Sequence, residues 1–203
     1  MTTAAEPIRV LIIDDDEDDV FLVRAMFKEI PDLRAHVDSE RSFASALDRI
    51  ERERHDIYLV DYRIGAETGI DWLRRAHEKG LSEPVIMLTG QGSLEIDLAA
   101  MEAGAADYLV KSQIDSAQLG RSVRYALDRE RYRKAIAESE LRYRQLFEHV
   151  PMPMWVYDLE SYRFVEVNDA AILHYGYSRP EFLAMTTLDI RPAETVDAFR
   201  RSH

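Results

Sequence analysis

Cysteine does not occur in this chain, so disulfides, thiolate metal centres and cysteine nucleophiles are all excluded. Long apolar runs are missing too, and none approaches the ~20 residues a helix needs to cross a bilayer. Met1 to Pro7 holds no basic region followed by an apolar stretch, so no secretory signal is expected there. Positive charge is scarce: 26 Lys and Arg stand against 38 Asp and Glu, a formal net charge of −12. Duplex DNA is bound mainly by neutralising phosphates with Lys and Arg, so a general polyanion binder is not expected, although a local basic patch is compatible with this balance. Internal repeats and low-complexity segments are absent as well. The resulting expectation is a soluble cytoplasmic protein with no membrane and no nucleic-acid partner. What the chain does have is 46% hydrophobic residues over 203 positions, enough for one large domain or an ordinary domain plus a piece of another.

The apolar residues fall in a regular rhythm. Ile8 to Ile13 is a short apolar run between Pro7 and a block of acids, and reads as a buried parallel strand. Glu17 to Ile30 places Val20, Phe21, Val23, Met26 and Phe27 at helical spacing and is followed by Pro31. Further strands are expected at Arg34 to Asp38, Ile57 to Val60, Val85 to Leu88 and Ala106 to Val110. Helices are expected at Phe43 to Arg54, Gly69 to Lys79 and Leu94 to Ala103, the last two stopped by Gly80 and Gly104. Five strands alternating with helices imply an α/β fold, a doubly wound parallel sheet covered on both faces. From Ser116 to Val150 the pattern is helical, with Tyr125, Tyr132, Ile136, Tyr143, Leu146 and Val150 along one seam. The 3-4 steps of that seam fit a coiled coil, interrupted by Arg129 and Ser139. Such a helix would be ~50 Å long, more than one small domain can cover.

In a sheet of this kind ligands sit beyond the carboxyl ends of the strands. Asp14 and Asp15 follow the first strand, Asp61 the third, Thr89 the fourth and Lys111 the fifth. Asp14 to Asp19 is an unbroken run of acids at a helix start, where caps and the helix dipole favour acids without any further role. The joint placement of the other groups is what chance does not readily produce. Three carboxylates, a hydroxyl and an ammonium at one rim suit phosphoryl transfer to an aspartate. A carboxylate is a competent nucleophile toward phosphorus. Mg²⁺ takes oxygen ligands and relieves the repulsion among clustered acids. The metal and Lys111 would neutralise the phosphoryl oxygens, to one of which Thr89 can donate.

Ile8 to Leu127 resembles a response-regulator receiver domain. The carrying segments are Val-Leu-Ile-Ile-Asp-Asp at Val10 to Asp15, Tyr-Leu-Val-Asp-Tyr at Tyr58 to Tyr62, and Gly69 eight residues past Asp61. Val-Ile-Met-Leu-Thr-Gly at Val85 to Gly90 and Gly-Ala-Ala-Asp-Tyr-Leu-Val-Lys at Gly104 to Lys111 complete them. The resemblance implies strand order 2-1-3-4-5 and phosphorylation of Asp61 by a phosphohistidine on a sensor histidine kinase or phosphotransfer protein. It implies metal contacts from Asp15 and Asp61, from Asp14 through water, and from the backbone carbonyl of Arg63. It also makes Thr89 and Tyr108 the pair that couples phosphorylation to surface change. Two departures stand out. Ser112 follows Lys111 where the family usually has proline, often cis, and a trans bond is expected here. Ile64-Gly65 stands where the family commonly has Met-Pro.

Ser139 to Leu188 resembles the front half of a PAS sensory domain, carried by Glu140 to Glu148, Met154 to Asp158, Phe164 to Ala170, Tyr175 to Ser178 and Phe182-Leu183. A hairpin turning at Glu160-Ser161 and two short helices, Asn168 to Tyr175 and Pro180 to Met185, are expected. A full PAS domain has five strands, so the hairpin is expected to lack partner strands. The organisation expected is therefore residues 1–115 as receiver core, 116–150 as a signalling helix making a homodimer, and 151–203 as an incomplete α+β PAS segment. Without cysteine, PAS chemistry through a flavin or thioester adduct is excluded, and His149 and His174 read as structural rather than haem ligands. Trp72 and Trp155 read as core or interface aromatics. Receiver-PAS front ends resemble those of histidine kinases and diguanylate cyclases, so the alternative expectation is the regulatory N-terminal portion of a longer protein of either kind. Neither a kinase histidine box, a cyclase domain nor a helix-turn-helix pattern appears here. The only chemistry expected within the chain is Mg-dependent phosphorylation and dephosphorylation at Asp61, and the expected function is phosphorelay through the helix to a PAS dimer.

Overall fold

The computed structural model describes residues 6–90, 92 and 94–192. The chain divides into two compact units, Met1–Arg133 and Lys134–His203. In the first, five parallel strands form one sheet: β1 (Ile8–Ile13), β2 (Ala35–Glu40), β3 (Ile57–Asp61), β6 (Val85–Thr89) and β7 (Asp107–Val110). Their order is β2-β1-β3-β6-β7, the expected 2-1-3-4-5 once two minor strands are counted. Those strands, β4 (Arg63–Ile64) and β5 (Glu67–Thr68), make a small antiparallel hairpin just after β3. Sequence periodicity cannot reveal strands of two residues. Gly65 at φ +61° begins the hairpin's loop, the left-handed conformation that a tight II′-like turn asks for. Proline, fixed near φ −65°, has no place there.

Residues alternate between the two faces of a strand, and the central strands are buried on both. Leu11, Ile13, Tyr58, Val60 and Met87 meet Phe43 and Ile50 of α2 (Phe43–Arg52) and Trp72 and Leu73 of α3 (Gly69–Glu78). Their neighbours Val10, Ile12, Leu59, Ile86 and Leu88 meet Val23, Met26 and Phe27 of α1 (Glu17–Glu29). Leu119, Val123 and Ala126 of α5 (Ser116–His149) complete this second layer, so the start of the long helix belongs to the core of the first unit. α4 (Leu94–Glu102) lies between β6 and β7 in the chain. Side-chain caps fix three helix starts: Asp16 accepts from Asp18 N–H, Ser42 from Ser45 N–H and Thr68 from Asp71 N–H. Trp72 is fully buried beside Tyr58 and Phe43, as expected of a core aromatic.

The second unit holds the antiparallel pair β8 (Trp155–Tyr157) and β9 (Phe164–Val167), then α6 (Asp169–Tyr175) and α7 (Arg179–Ala184). Phe164 and Val167 pack on Ala171 and Phe182, with Trp155 and Tyr175 at the edge of the cluster. One face of the hairpin is thus covered by the unit's own helices, while Val156 and Val165 remain exposed. Asn168 holds these pieces together. Fully buried, it accepts from Met154 N–H and Ala171 N–H (both 2.9 Å) and donates to the carbonyls of Phe147 (3.0 Å) and Met152 (2.9 Å). It ties the end of α5 to β8 and caps α6. No described helix is long and apolar enough to cross a membrane.

Candidate functional site

Because β1, β3, β6 and β7 run parallel in register, their carboxyl ends share one rim: Ile13 pairs with Val60, Asp61 with Leu88, and Thr89 with Val110. Asp14, Asp61 and Thr89 are all buried there. Lys111 brings three acids together. Its Nζ lies 2.6 Å from Asp14 Oδ2, 2.7 Å from Asp61 Oδ1 and 2.7 Å from Asp19 Oδ2. Lys111 N–H donates to the Thr89 carbonyl at 2.7 Å, which locks the fifth strand's end to the fourth's. The second oxygen of Asp61 accepts from Arg63 N–H at 2.9 Å. Tyr108, paired with Met87, is half-buried against the α2–α3 layer.

The acidic run thus splits by position. Asp16 serves as the cap of α1, and Asp15 stands exposed at the lip. Asp14 and Asp19 turn onto the lysine. Asp19 was not expected at the site; its one signal was its position one helical turn after Asp15, hidden inside a run of like residues. Arg41 is a second unexpected neighbour. It pairs with Glu17 and donates to the Asp15 carbonyl at 3.3 Å, a cation at the rim that nothing in its local sequence announces.

Burial raises the Asp14 carboxyl above its ordinary value, and the hydrogen bonds from Lys111 and from Asp16 N–H oppose that rise without cancelling it. Burial alone would lower the Lys111 ammonium, but its bonds to Asp14, Asp19 and Asp61 outweigh this and hold it well above its ordinary value. Three carboxylates against one ammonium leave negative charge uncompensated at a poorly solvated place. The donor set is all oxygen, which suits a hard divalent cation. Asp14, Asp15 and Asp61, with the Arg63 carbonyl, fit such an ion in chemistry. Among the described residues, however, the acids and histidine whose donor atoms already lie within 4.8 Å of one another are Asp38, Glu53 and His55. Those carboxylates are neutralised by guanidinium groups: Arg49 lies 3.2 Å from both, and Arg9 pairs with Glu53. That cluster reads as an ion-pair network binding α2 to the sheet.

Gly69 is required by close approach. A Cβ there would lie 2.6 Å from the Asp61 carbonyl oxygen and 2.9 Å from Met87 Sδ, and Gly69 N–H donates to the Tyr62 carbonyl at 2.7 Å. The glycine lets α3 start directly beneath the end of β3. Among the described residues no peptide bond is cis, so Lys111–Ser112 is trans, as expected. His149 and His174 are exposed; Nδ1 of His149 rests on the Gln145 carbonyl and His174 packs edge-on against Tyr175.

A five-stranded doubly wound sheet with buried acids and a lysine at its carboxyl rim defines a receiver-type α/β domain. Residues 10–124 match the response regulator receiver domain, more than half the chain, and the chain belongs to that family. Residues 141–202 match the PAS domain. Among curated relatives, the alginate biosynthesis transcriptional regulatory protein AlgB of Pseudomonas putida is 30% identical over 173 residues, covering 84% of this chain and 38% of AlgB. The two-component response regulator PhoP of Pseudomonas aeruginosa is 28% identical over 95 residues, covering 47% of this chain and 42% of PhoP. The chain therefore spans about two fifths of the length of these relatives. A CheY-like response regulator receiver domain protein from Methanospirillum hungatei aligns with TM-score 0.56 and 25% identity, over 63% of this chain and 99% of that one.

Proposed function

We propose that this chain is a phosphorelay receiver, with Asp61 as the phospho-acceptor, whose state is passed through α5 to a PAS dimer. The observation that carries the reading is the Lys111 ammonium clasping buried Asp14 and Asp61 at the sheet's carboxyl rim. An Asp61 oxygen attacks the phosphorus of a phosphohistidine carried by a sensor histidine kinase or phosphotransfer protein. The P–N bond breaks, a P–O bond forms, and the imidazole leaves. Lys111 then exchanges one carboxylate oxygen for a phosphoryl oxygen, and Thr89 donates to another. A magnesium ion held by Asp14, Asp15, Asp61 and the Arg63 carbonyl would neutralise the transferring group. Movement of Thr89 toward the phosphoryl group draws on Tyr108, which lies in the adjoining strand.

The output arm rests on α5. Tyr125, Tyr132, Ile136, Tyr143 and Leu146 are exposed along the helix at seam positions, a pattern that a second copy would cover in a coiled coil. Sedimentation with magnesium and beryllium fluoride, an unreactive phosphoryl mimic, tests the link. The mimic is expected to change the monomer–dimer distribution of the wild type and to leave Asp61→Asn unchanged. An identical response of both proteins would refute it. A second reading of the output comes from AlgB, a transcriptional regulatory protein that aligns over most of this chain. On that reading the phosphorylated unit controls transcription, and a longer protein carries the DNA-binding part. Neither AlgB nor PhoP carries the name of a histidine kinase or a diguanylate cyclase.

A further inference from the structure

The sheet ends at β2, which among the described residues has β1 as its one hydrogen-bonded neighbour. Ile8 N–H donates to the Arg34 carbonyl and Asp14 N–H to the Glu40 carbonyl. In a parallel ladder that register turns the even-numbered residues of β2 inward, so the N–H and C=O groups of Ala35, Val37 and Ser39 point out from the open edge. An open edge is a template for another strand unless something guards it.

Beside this edge, between α1 and β2, runs a groove of about 590 Å³. Its apolar part includes Leu33 and Phe21, and Phe21 is 74% exposed, an unusual position for a phenylalanine on a helix that packs against a core. Its basic part is Arg24, Lys28, Arg34 and His36, and among the described residues no acidic side chain lines it. That is a marked local reversal in a chain of net charge −12. Arg24 spends one Nη on Ser39 Oγ (2.9 Å) and keeps a buried Nε–H with no acceptor. His36 leans on Asp38 at 3.7 Å.

We infer that the β2 edge and the α1 groove form a docking site for an extended acidic peptide segment of a partner protein. The peptide adds a sixth strand, pairing its backbone with Ala35 and Val37. Alternate side chains then fall on opposite faces: apolar ones enter the groove over Phe21 and Leu33, and acidic ones meet Arg34 and His36. Arg24 and Lys28, reaching from α1, receive the carboxylates at the groove's mouth. The cations and the open edge specify the same occupant, because an acidic strand is attracted to the groove's basic lining and a basic one would be repelled.

Fluorescence anisotropy of the full chain with a labelled peptide of alternating glutamate and valine tests this, with an alternating lysine–valine peptide as control. The acidic peptide is expected to bind and the basic one not. Phe21→Ala, Arg34→Glu and Ala35→Pro are each expected to weaken binding roughly tenfold or more. Ala35→Pro removes an outward N–H at the first position of an edge strand, where proline is tolerated, and unchanged thermal melting would confirm an intact fold. Binding that survives both Ala35→Pro and Phe21→Ala would mean adsorption by charge alone and would overturn the proposal. So would absence of binding at low salt, which would make the cations a guard on the edge. Self-association abolished by the same variants without peptide binding would assign the edge to a second copy. Binding to phosphatidylserine vesicles in place of the peptide would assign the groove to lipid. Either result contradicts the inference.

Discussion

The receiver unit closes its sheet between two apolar layers, while the second unit relies on one small cluster around Phe164, Val167, Ala171 and Phe182. Polar groups divide the other way. In the receiver, buried Asp14 and Asp61 share one ammonium with half-buried Asp19 at the sheet's carboxyl rim. In the second unit the buried polar centre is Asn168, whose bonds hold three segments of backbone together. A large core tolerates an electrostatically uncomfortable site because packing elsewhere offsets it. Polar burial therefore concentrates charge in one unit and joins backbone segments in the other.

Lys111→Ala breaks that contrast most severely. It leaves the buried Asp14 and Asp61 without a counter-charge, and a loss of roughly 3–5 kcal/mol is expected in metal-free denaturant unfolding. Asn168→Ala strands buried backbone groups on several segments, a cost of about 3 kcal/mol. Hydrogen exchange should then rise across residues 147–185, with β1, β3 and β6 unaffected. Equal loss in both units would dissolve the distinction between them. Gly69→Ala drives a methyl against the Asp61 carbonyl, where backbone cannot yield cheaply, and should cost about 2 kcal/mol. Its phosphorylation should slow more than its melting point falls.

The smallest expected effect concerns Asp107. Burial raises its carboxyl above the ordinary value of 3.8, against the hydrogen bond from Tyr108 N–H. Such a group favours the fold below the unfolded value, and that contribution is lost as pH rises through the folded one. Asp107→Asn, with the Ser122 hydroxyl turning to accept, should thus be more stable than wild type by about 1 kcal/mol at neutral pH. The difference should close as pH falls below 3.8. A constant difference across that range would remove burial of charge as its cause.

Much of the receiver was legible because its signals are local and repeated. The apolar runs Val10 to Ile13, Ile57 to Val60 and Val85 to Leu88 are continuous, as strands covered on both faces require. Asp14, Asp61 and Thr89 each follow such a run and Lys111 follows the fifth strand, so their meeting followed from parallel order. Asp19 was hidden because direction within an acidic run depends on where the helix begins and what stands opposite. The Arg63–Thr68 hairpin was too short for any period. Asn168 looked like a helix start, which it is, but its other bonds reach residues fourteen to twenty-one positions away. The basic groove at β2 was invisible for a related reason: Arg24, Lys28, Arg34 and His36 lie on two elements, and the net charge of the chain masks them.

Incubating the chain with acetyl phosphate and magnesium, then measuring intact mass, tests the central claim most directly. Wild type should gain one phosphoryl group, lost on mild alkaline treatment as an acyl phosphate is, and Asp61→Asn should gain none. A phosphoryl group appearing equally on Asp61→Asn, or no gain on folded wild type with either acetyl phosphate or a phosphorylated histidine donor, would contradict the account.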